Sequence, residues 1–123
     1  YTNHKRDIKE QIAVMNIHVA RSIANGQSLT LFGDALFLDF DLSPQNTHVG
    51  TRIRIGDAIV EVTDEPHVPC LKFKKRFGNP AFTWCAQEKL KCYRGIYVQV
   101  VTSGNVCVGS SITKTTPDSF VEL

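Results

Sequence analysis

None of the four cysteines, Cys70, Cys85, Cys92 and Cys107, stands in a Cys-x-x-Cys pair. The chain also lacks a Walker-type loop, a Gly-x-Gly-x-x-Gly fingerprint and a Gly-x-Ser-x-Gly elbow. Nucleotide binding and serine hydrolysis therefore have no support. Apolar runs stay well short of the roughly 20 residues of a membrane span, and no signal-peptide pattern opens the chain, so no membrane is expected as a partner. Charge of one sign is scarce too. Fourteen Lys and Arg against twelve Asp and Glu leave a formal charge of +2, too little to argue for nucleic acid. Cys85 and Cys92 are seven residues apart; on one helix their Cα atoms would lie about 10 Å apart, beyond disulfide reach. No disulfide framework is indicated, and a reducing cytoplasm is the expected setting.

What remains is an ordinary globular composition. With 42% hydrophobic and 21% charged residues over 123 positions, the chain is expected to form a single domain, 1–123, burying about two-thirds of its unfolded surface. The core is expected over 7–112, after a polar end at Tyr1 to Glu10 and before a loosely held polar tail, Thr113 to Leu123, that contains Pro117. The opening residue, Tyr1, suggests a processed or truncated product. No internal repeat or low-complexity segment is present.

Two parses open the chain. Ile8, Ile12, Met15, Val19 and Ile23 fit one helical face. Equally, a strand Gln11–Met15 leads into a helix N-capped by Asn16 and closed at Asn25-Gly26. In both, Met15 is core. Leu36, Leu38, Phe40 and Leu42 alternate with Phe37, Asp39 and Asp41, the period of a half-buried strand, before a turn at Ser43-Pro44-Gln45-Asn46. Asp39 and Asp41 share a strand face but read as its solvated side rather than as an acid–base pair. Arg52–Ile55 and Ala58–Thr63 flank Gly56-Asp57, a tight hairpin. Pro80 opens a short helix through Cys85, which Gln87 to Lys91 continue or end as a charged turn. Tyr93–Val101 reads as a strand that Ser103-Gly104-Asn105 turns back into Val106–Val108, a barrel-closing hairpin. Cys107 on that last strand is expected to be packed and slow to react.

The organising stretch is Pro66-His67-Val68-Pro69-Cys70-Leu71-Lys72-Phe73-Lys74-Lys75-Arg76-Phe77-Gly78. Pro69 suits a first helical turn, which places Cys70 within that turn, among unsatisfied N–H groups that favour a thiolate. Lys72, Lys74, Lys75 and Arg76 push the same way, and the thiolate is the form that attacks or ligates metal. Phe73 and Phe77, four apart, bury one face, and Gly78 is a natural stop. A half-buried structural cysteine is the competing reading. His67 offers itself as a base to Cys70, though a group seated over the cysteine is the simpler role. His67 with Cys70, Cys85 and Cys92 lacks the tight ligand pairs that structural zinc prefers.

The run Gly33-Asp34-Ala35-Leu36-Phe37-Leu38-Asp39-Phe40-Asp41-Leu42-Ser43, then Val49-Gly50-Thr51-Arg52 and Glu61-Val62-Thr63, leads into the cysteine stretch. Arg94-Gly95-Ile96 and Val106-Cys107-Val108-Gly109 follow it. In that order and spacing, over about residues 7–112, the chain resembles the MOSC domain, named for the C-terminal domain of molybdenum cofactor sulfurases. The resemblance implies a mainly β, barrel-like fold with two or three short α-helices, and it favours the strand-then-helix parse at Asn16. It also implies an earlier segment in most relatives, with a Gly-Asp pair and a few strands, so this barrel is expected to lack its N-terminal strands and to expose a sheet edge to a homodimer or other protein partner.

Cys70 matches the family's characteristic cysteine, which carries sulfur or ligates the molybdenum of a molybdopterin cofactor. A small-molecule substrate or a sulfur donor protein is then the implied partner, and a bound cofactor implies reduction of N-hydroxylated compounds. Arg76 and Arg94, in Arg-Phe-Gly and Arg-Gly-Ile motifs, are expected to receive the anionic cofactor bidentately, with Lys72 a weaker candidate and Lys74 and Lys75 a solvated face. The Arg-Pro-Asn-type run of many cofactor-binding relatives is absent, which suits an alternative role as a non-catalytic binding module on the same fold.

Overall fold

Ile12-Ala13-Val14-Met15 forms a strand because it is apolar on both sides. The computed structural model describes residues 12–87 and 92–115, and the strand β1 spans Ile12–Asn16. Val14 packs into one core and Met15, fully buried, into another. A strand covered on both faces reads as a continuous apolar run rather than an alternation. Its backbone pairs with β5 (Ile96–Thr102) on one side and β2 (Leu36–Leu38) on the other. That pairing decides against a continuous helix, and the strand-then-helix parse is what forms.

Asn16 makes the change of direction. Its Oδ1 accepts from the backbone N–H of His18 at 2.8 Å and of Val19 at 3.1 Å, while its amide donates to the Phe40 carbonyl at 2.9 Å. One side chain thus caps α1 (Ile17–Ala24) and ties down the far end of the Phe37–Leu42 segment. The helix closes at Asn25, which adopts the left-handed conformation at φ 48°. A 3₁₀ turn, Leu29–Phe32, follows, capped by Ser28 and closed by Gly33 at φ 74°.

The predicted strand from Leu36 to Leu42 is shorter than its alternation. Only Leu36–Leu38 pairs, parallel to β1. Past Leu38 the chain bends to satisfy Asn16 and to seat Leu42 in the core. The hairpin of β3 (Arg52–Ile55) and β4 (Ala58–Val62) forms as expected around Gly56-Asp57. The helices α2 (Leu71–Phe77) and α3 (Asn79–Gln87) pack together, and β6 (Ile112–Lys114) completes the sheet. Strand order is β2-β1-β5-β4-β3-β6, with every pairing antiparallel except β1 with β2. The described residues form a mainly β fold, a curled half-barrel with three short helices.

Two expectations near the C-terminus fail. Val106–Val108 is no strand: it lies in an exposed segment, with Val108 wholly in solvent, so Cys107 is exposed rather than packed. The segment straps across the β3–β4 turn instead, where Asp57 N–H donates to Asn105 O at 3.1 Å and Gly56 N–H to Ser111 O at 2.9 Å. A Cβ at Gly104 would collide with the Asp57 backbone, so contact between these loops, rather than a hairpin, sets the path. Thr113 and Lys114, read as tail, sit on β6 and pair with Arg54 and Ile53. Three residues are too few for a period to announce itself. The readings of Tyr1 to Glu10, of Gln11, of 88–91 and of 116–123 lie outside the described residues.

The sheet separates two cores. One, on its inner face, gathers Val14, Leu38, Ile53, Val60 and Val98. The other lies between β1 and the helices and is aromatic, with Phe32 and Phe73 beside Met15, Ala20 and Cys85. Gly95 sits where the entry to β5 crosses β1. It holds φ 107°, and a Cβ there would strike the Val14 carbonyl. Gly95→Ala is therefore expected to destabilise the protein by about 2–4 kcal/mol, read from urea unfolding midpoints.

Candidate functional site

The cysteine stretch becomes a helix because Phe73 and Phe77 have a surface to cover. Phe73 is buried, its ring lies 5.1 Å from that of Phe77, and Phe77 stacks on Phe32 at 4.2 Å. Helix α2 starts two residues later than a first turn at Pro69 would have it. Cys70 is its N-cap, extended at φ −110°, with its carbonyl accepting the first helical bond from Lys74 N–H at 3.1 Å. Pro69 therefore stands outside the helix, because an N-cap must be extended while its carbonyl begins the ladder. The helix stops at Gly78, whose φ of 93° only glycine adopts easily.

This position leaves the Cys70 thiol exposed at the helix entrance. The side chain makes no capping hydrogen bond, yet its pKa is lowered, chiefly by the backbone N–H of Phe73. Partial desolvation opposes this, and the Lys72 N–H, Arg94 and its own N–H assist. These groups act on the thiolate through their dipoles and charge rather than on the thiol through a formed bond. Burial moves two other thiols the opposite way: Cys85 is pushed up to about 11 despite Arg94, and Cys92 is also raised. All four cysteines are free.

Arg94 lies beneath this corner. Only 8% exposed, its Nη1 donates to both Asp34 carboxylate oxygens, at 2.9 and 3.0 Å, and its Nη2 to the Phe32 carbonyl at 3.1 Å. The guanidinium lies 5.7 Å from the centre of the Phe32 ring and 5.5 Å from that of Phe73, within cation–π range. Burial pushes the Asp34 carboxyl up, outweighing the pull of Arg94. The short contacts nevertheless describe an ion pair sealed from water. Asp34 is the residue that sequence reading passed over. Its signal was an acid directly after the glycine that closes the 3₁₀ turn.

His67 stacks on Tyr97, ring centres 4.4 Å apart, and its Nδ1 is buried with no hydrogen-bond partner among the described residues. Burial first, and the Arg94 charge second, hold the imidazole down to about 3. His67 is neutral at physiological pH, which makes it a poor proton store for Cys70. The field of Arg94 thus reaches Cys70, His67 and Cys85 together.

The remaining candidates are placed as follows. Arg76 Nη1 donates to the Leu31 carbonyl at 2.9 Å, and Lys72 is exposed on α2. Asp39 accepts from His18 Nε2 at 2.9 Å, and Asp41 from the Ser43 N–H, so the two carboxylates serve separate local contacts. Among the described residues no group of three or more His, Cys, Asp and Glu could hold a metal ion. None of their helices is long and apolar enough to cross a membrane.

Residues 9–113 match the MOSC domain in a comparison of sequences. The chain belongs to the MOSC domain family. YflK of Bacillus subtilis (strain 168) is 29% identical over 97 residues, covering 76% of this chain and 39% of YflK. Among solved structures, YiiM of Geobacillus stearothermophilus superposes with a TM-score of 0.60 at 17% identity, over 89% of this chain and 56% of that one. YuaD of Bacillus subtilis does so with a TM-score of 0.60 at 19% identity, over 85% and 63%. This MOSC chain therefore spans less than two-thirds of the length of each of these relatives.

Two outcomes follow from the buried groups. Asp34→Asn leaves the Arg94 charge uncompensated in the core and is expected to cost about 3–5 kcal/mol in chemical denaturation. His67 has a folded pKa below its unfolded one, so between about pH 6.5 and 3 the unfolded chain binds the extra proton, and stability falls as pH falls. From pH 6 to 4, wild type should lose about 1.4 kcal/mol per pH unit more than His67→Phe, which keeps the stack on Tyr97.

Proposed function

We propose that this MOSC chain carries sulfur as a persulfide on Cys70. The observation that supports this reading is the contrast among the thiols: Cys70 is exposed with its thiolate favoured, whereas Cys85 and Cys92 are buried with theirs disfavoured. The Cys70 thiolate attacks the outer sulfur of a donor persulfide, R–S–SH. The donor S–S bond breaks, its electron pair leaves on the inner sulfur as R–S⁻, and the proton stays with the transferred sulfur. Cys70–S–SH and a donor thiolate result, with no external oxidant or reductant. Transfer to an acceptor reverses these roles and returns Cys70 to a thiolate. A reducing compartment suits four free thiols.

The molybdopterin that the family implies fits the described residues less well. A lone thiolate is a competent soft ligand, but the phosphate needs free donors. Arg94, one of the two guanidinium groups expected to receive it, is buried and committed to Asp34 and Phe32, which leaves exposed Arg76, with only its Nη1 engaged on Leu31, and exposed Lys72. We therefore derive no reduction step through that cofactor.

Treating the protein with sodium polysulfide and mapping peptides by mass should place one added sulfur on Cys70. Cys70→Ser should fold normally and take up none there. Alkylation of Cys70 should have a pH midpoint below the free value of about 8.5, with native Cys85 inert. Near-stoichiometric molybdenum in the full-length protein would replace the sulfur reading with the cofactor one. Neither molybdenum nor persulfide would leave a binding module.

A further inference from the structure

The surface around Cys70 is unusual in what it leaves unused. Helix α2 sorts its residues by face: Phe73 and Phe77 point into the aromatic core, and its two flanking cations are engaged. Lys74 Nζ lies 5.4 Å from the centre of the Phe82 ring, and Arg76 donates to Leu31. Leu71, Lys72 and Lys75 share the outward face at helical spacings of three and four. Leu71 is 72% exposed, and Val68, two residues before Cys70, is 50% exposed. An apolar pair and two lysines with no partner among the described residues thus lie within five residues of the exposed thiol in sequence.

This arrangement works against the helix itself. Lys72 stands in the first turn, where the helix dipole disfavours a cation, and no acid in that turn offsets it. Lys72 and Lys75 also repel each other at three residues' spacing. Local stability is given up for an exposed, positive and partly apolar face, as proteins do at sites of recognition. The nearest acids in sequence, Asp64 and Glu65, precede both prolines.

We propose that Leu71, Lys72 and Lys75, with Val68 beside them, dock an acidic protein surface that presents its sulfur-bearing thiol to Cys70. The cargo rests on the sulfur-carrier reading; the contact does not. A protein is favoured because the exposed stretch from Val68 to Lys75 runs about 15 Å, three extended residues and then four helical ones, which a small persulfide donor cannot cover at once. Complementary charge steers that encounter, and the apolar rim excludes water from the thiols once docked.

The test begins with binding alone. A fluorescent Glu-rich peptide with one central Ser is titrated against wild type and the Lys72→Glu, Lys75→Glu double variant, beside a Lys-rich peptide of equal length. The Glu-rich peptide should bind wild type, lose about tenfold in affinity in the double variant, and weaken with added salt. Leu71→Ser should weaken it at high salt as well, where charge alone contributes least. Equal binding by the double variant, equal binding of both peptides, or capture of wild type by phosphatidylserine vesicles in place of the peptide would overturn the proposal. With Cys persulfide replacing Ser, the acidic peptide should load Cys70 faster than the basic one, and the double variant should abolish that preference. Polysulfide, which needs no docking, should load Leu71→Ser and wild type alike. Failure of polysulfide to load wild type would sink the sulfur reading and leave the binding result standing on its own.

Discussion

A single buried cation organises the helical side of the domain. Taking the Arg94 guanidinium out of water would cost several kcal/mol without compensation, so the fold supplies it from every side. Asp34 provides the countercharge, the Phe32 carbonyl takes a second nitrogen, and the Phe32 and Phe73 rings offer their negative faces. These partners come from the turn before β2 and from α2, and Arg94 itself lies at the entry to β5. Met15 of β1 adds a sulfur contact at 3.8 Å. None of these segments can shift without uncovering a charge. That is a stronger constraint on geometry than apolar packing, which tolerates sliding at nearly constant area.

The same cation gives the candidate site its character. Arg94 cannot both pair with Asp34 in the core and reach out to a phosphate, so its effect on the surface is a field rather than a contact. That field helps the Cys70 thiolate and opposes a proton on His67. A Cys–His pair that needs an imidazolium is therefore disfavoured by the arrangement that favours the thiolate. Cys70 is thus an exposed thiol without an attendant base, an arrangement that would suit exchange with another sulfur, where no proton need be abstracted from carbon or water.

Sequence reading reached this site unevenly, for physical reasons. The Asn16 cap, the Gly56-Asp57 hairpin and the two-phenylalanine face of α2 rest on local chemistry and periods, so they were legible. Cys70 was found from its neighbours, although it was placed inside the helix rather than at its cap, because whether a proline lies inside a helix or before it depends on where the ladder starts. Arg94 and Arg76 were both singled out for their motifs, but whether a guanidinium faces outward or is enclosed depends on long-range packing. Asp34 is 60 residues from Arg94 in sequence, and no local pattern joins them. The exposed strap containing Cys107 was missed for a related reason. Val-Cys-Val reads as a strand, and only the fit of Gly104 against the Asp57 backbone diverts it.

Four identical side chains finally show how far position, rather than residue type, decides chemistry here. Cys85 lies within the aromatic core and Cys92 packs against the other, and in both burial works against the charged form. Cys107 is exposed like Cys70, but it rests in a loop with its sulfur 3.6 Å from the Ser110 hydroxyl. Exposure alone therefore does not single out Cys70. What does is the conjunction of an open thiol, the first N–H groups of a helix, a cation held in place below, and an outward face with unengaged lysines and apolar bulk. The first three favour the thiolate. The fourth would choose which molecule is allowed to react with it, and a carrier needs that choice as much as reactivity, since a thiolate open to every electrophile would not hold its cargo.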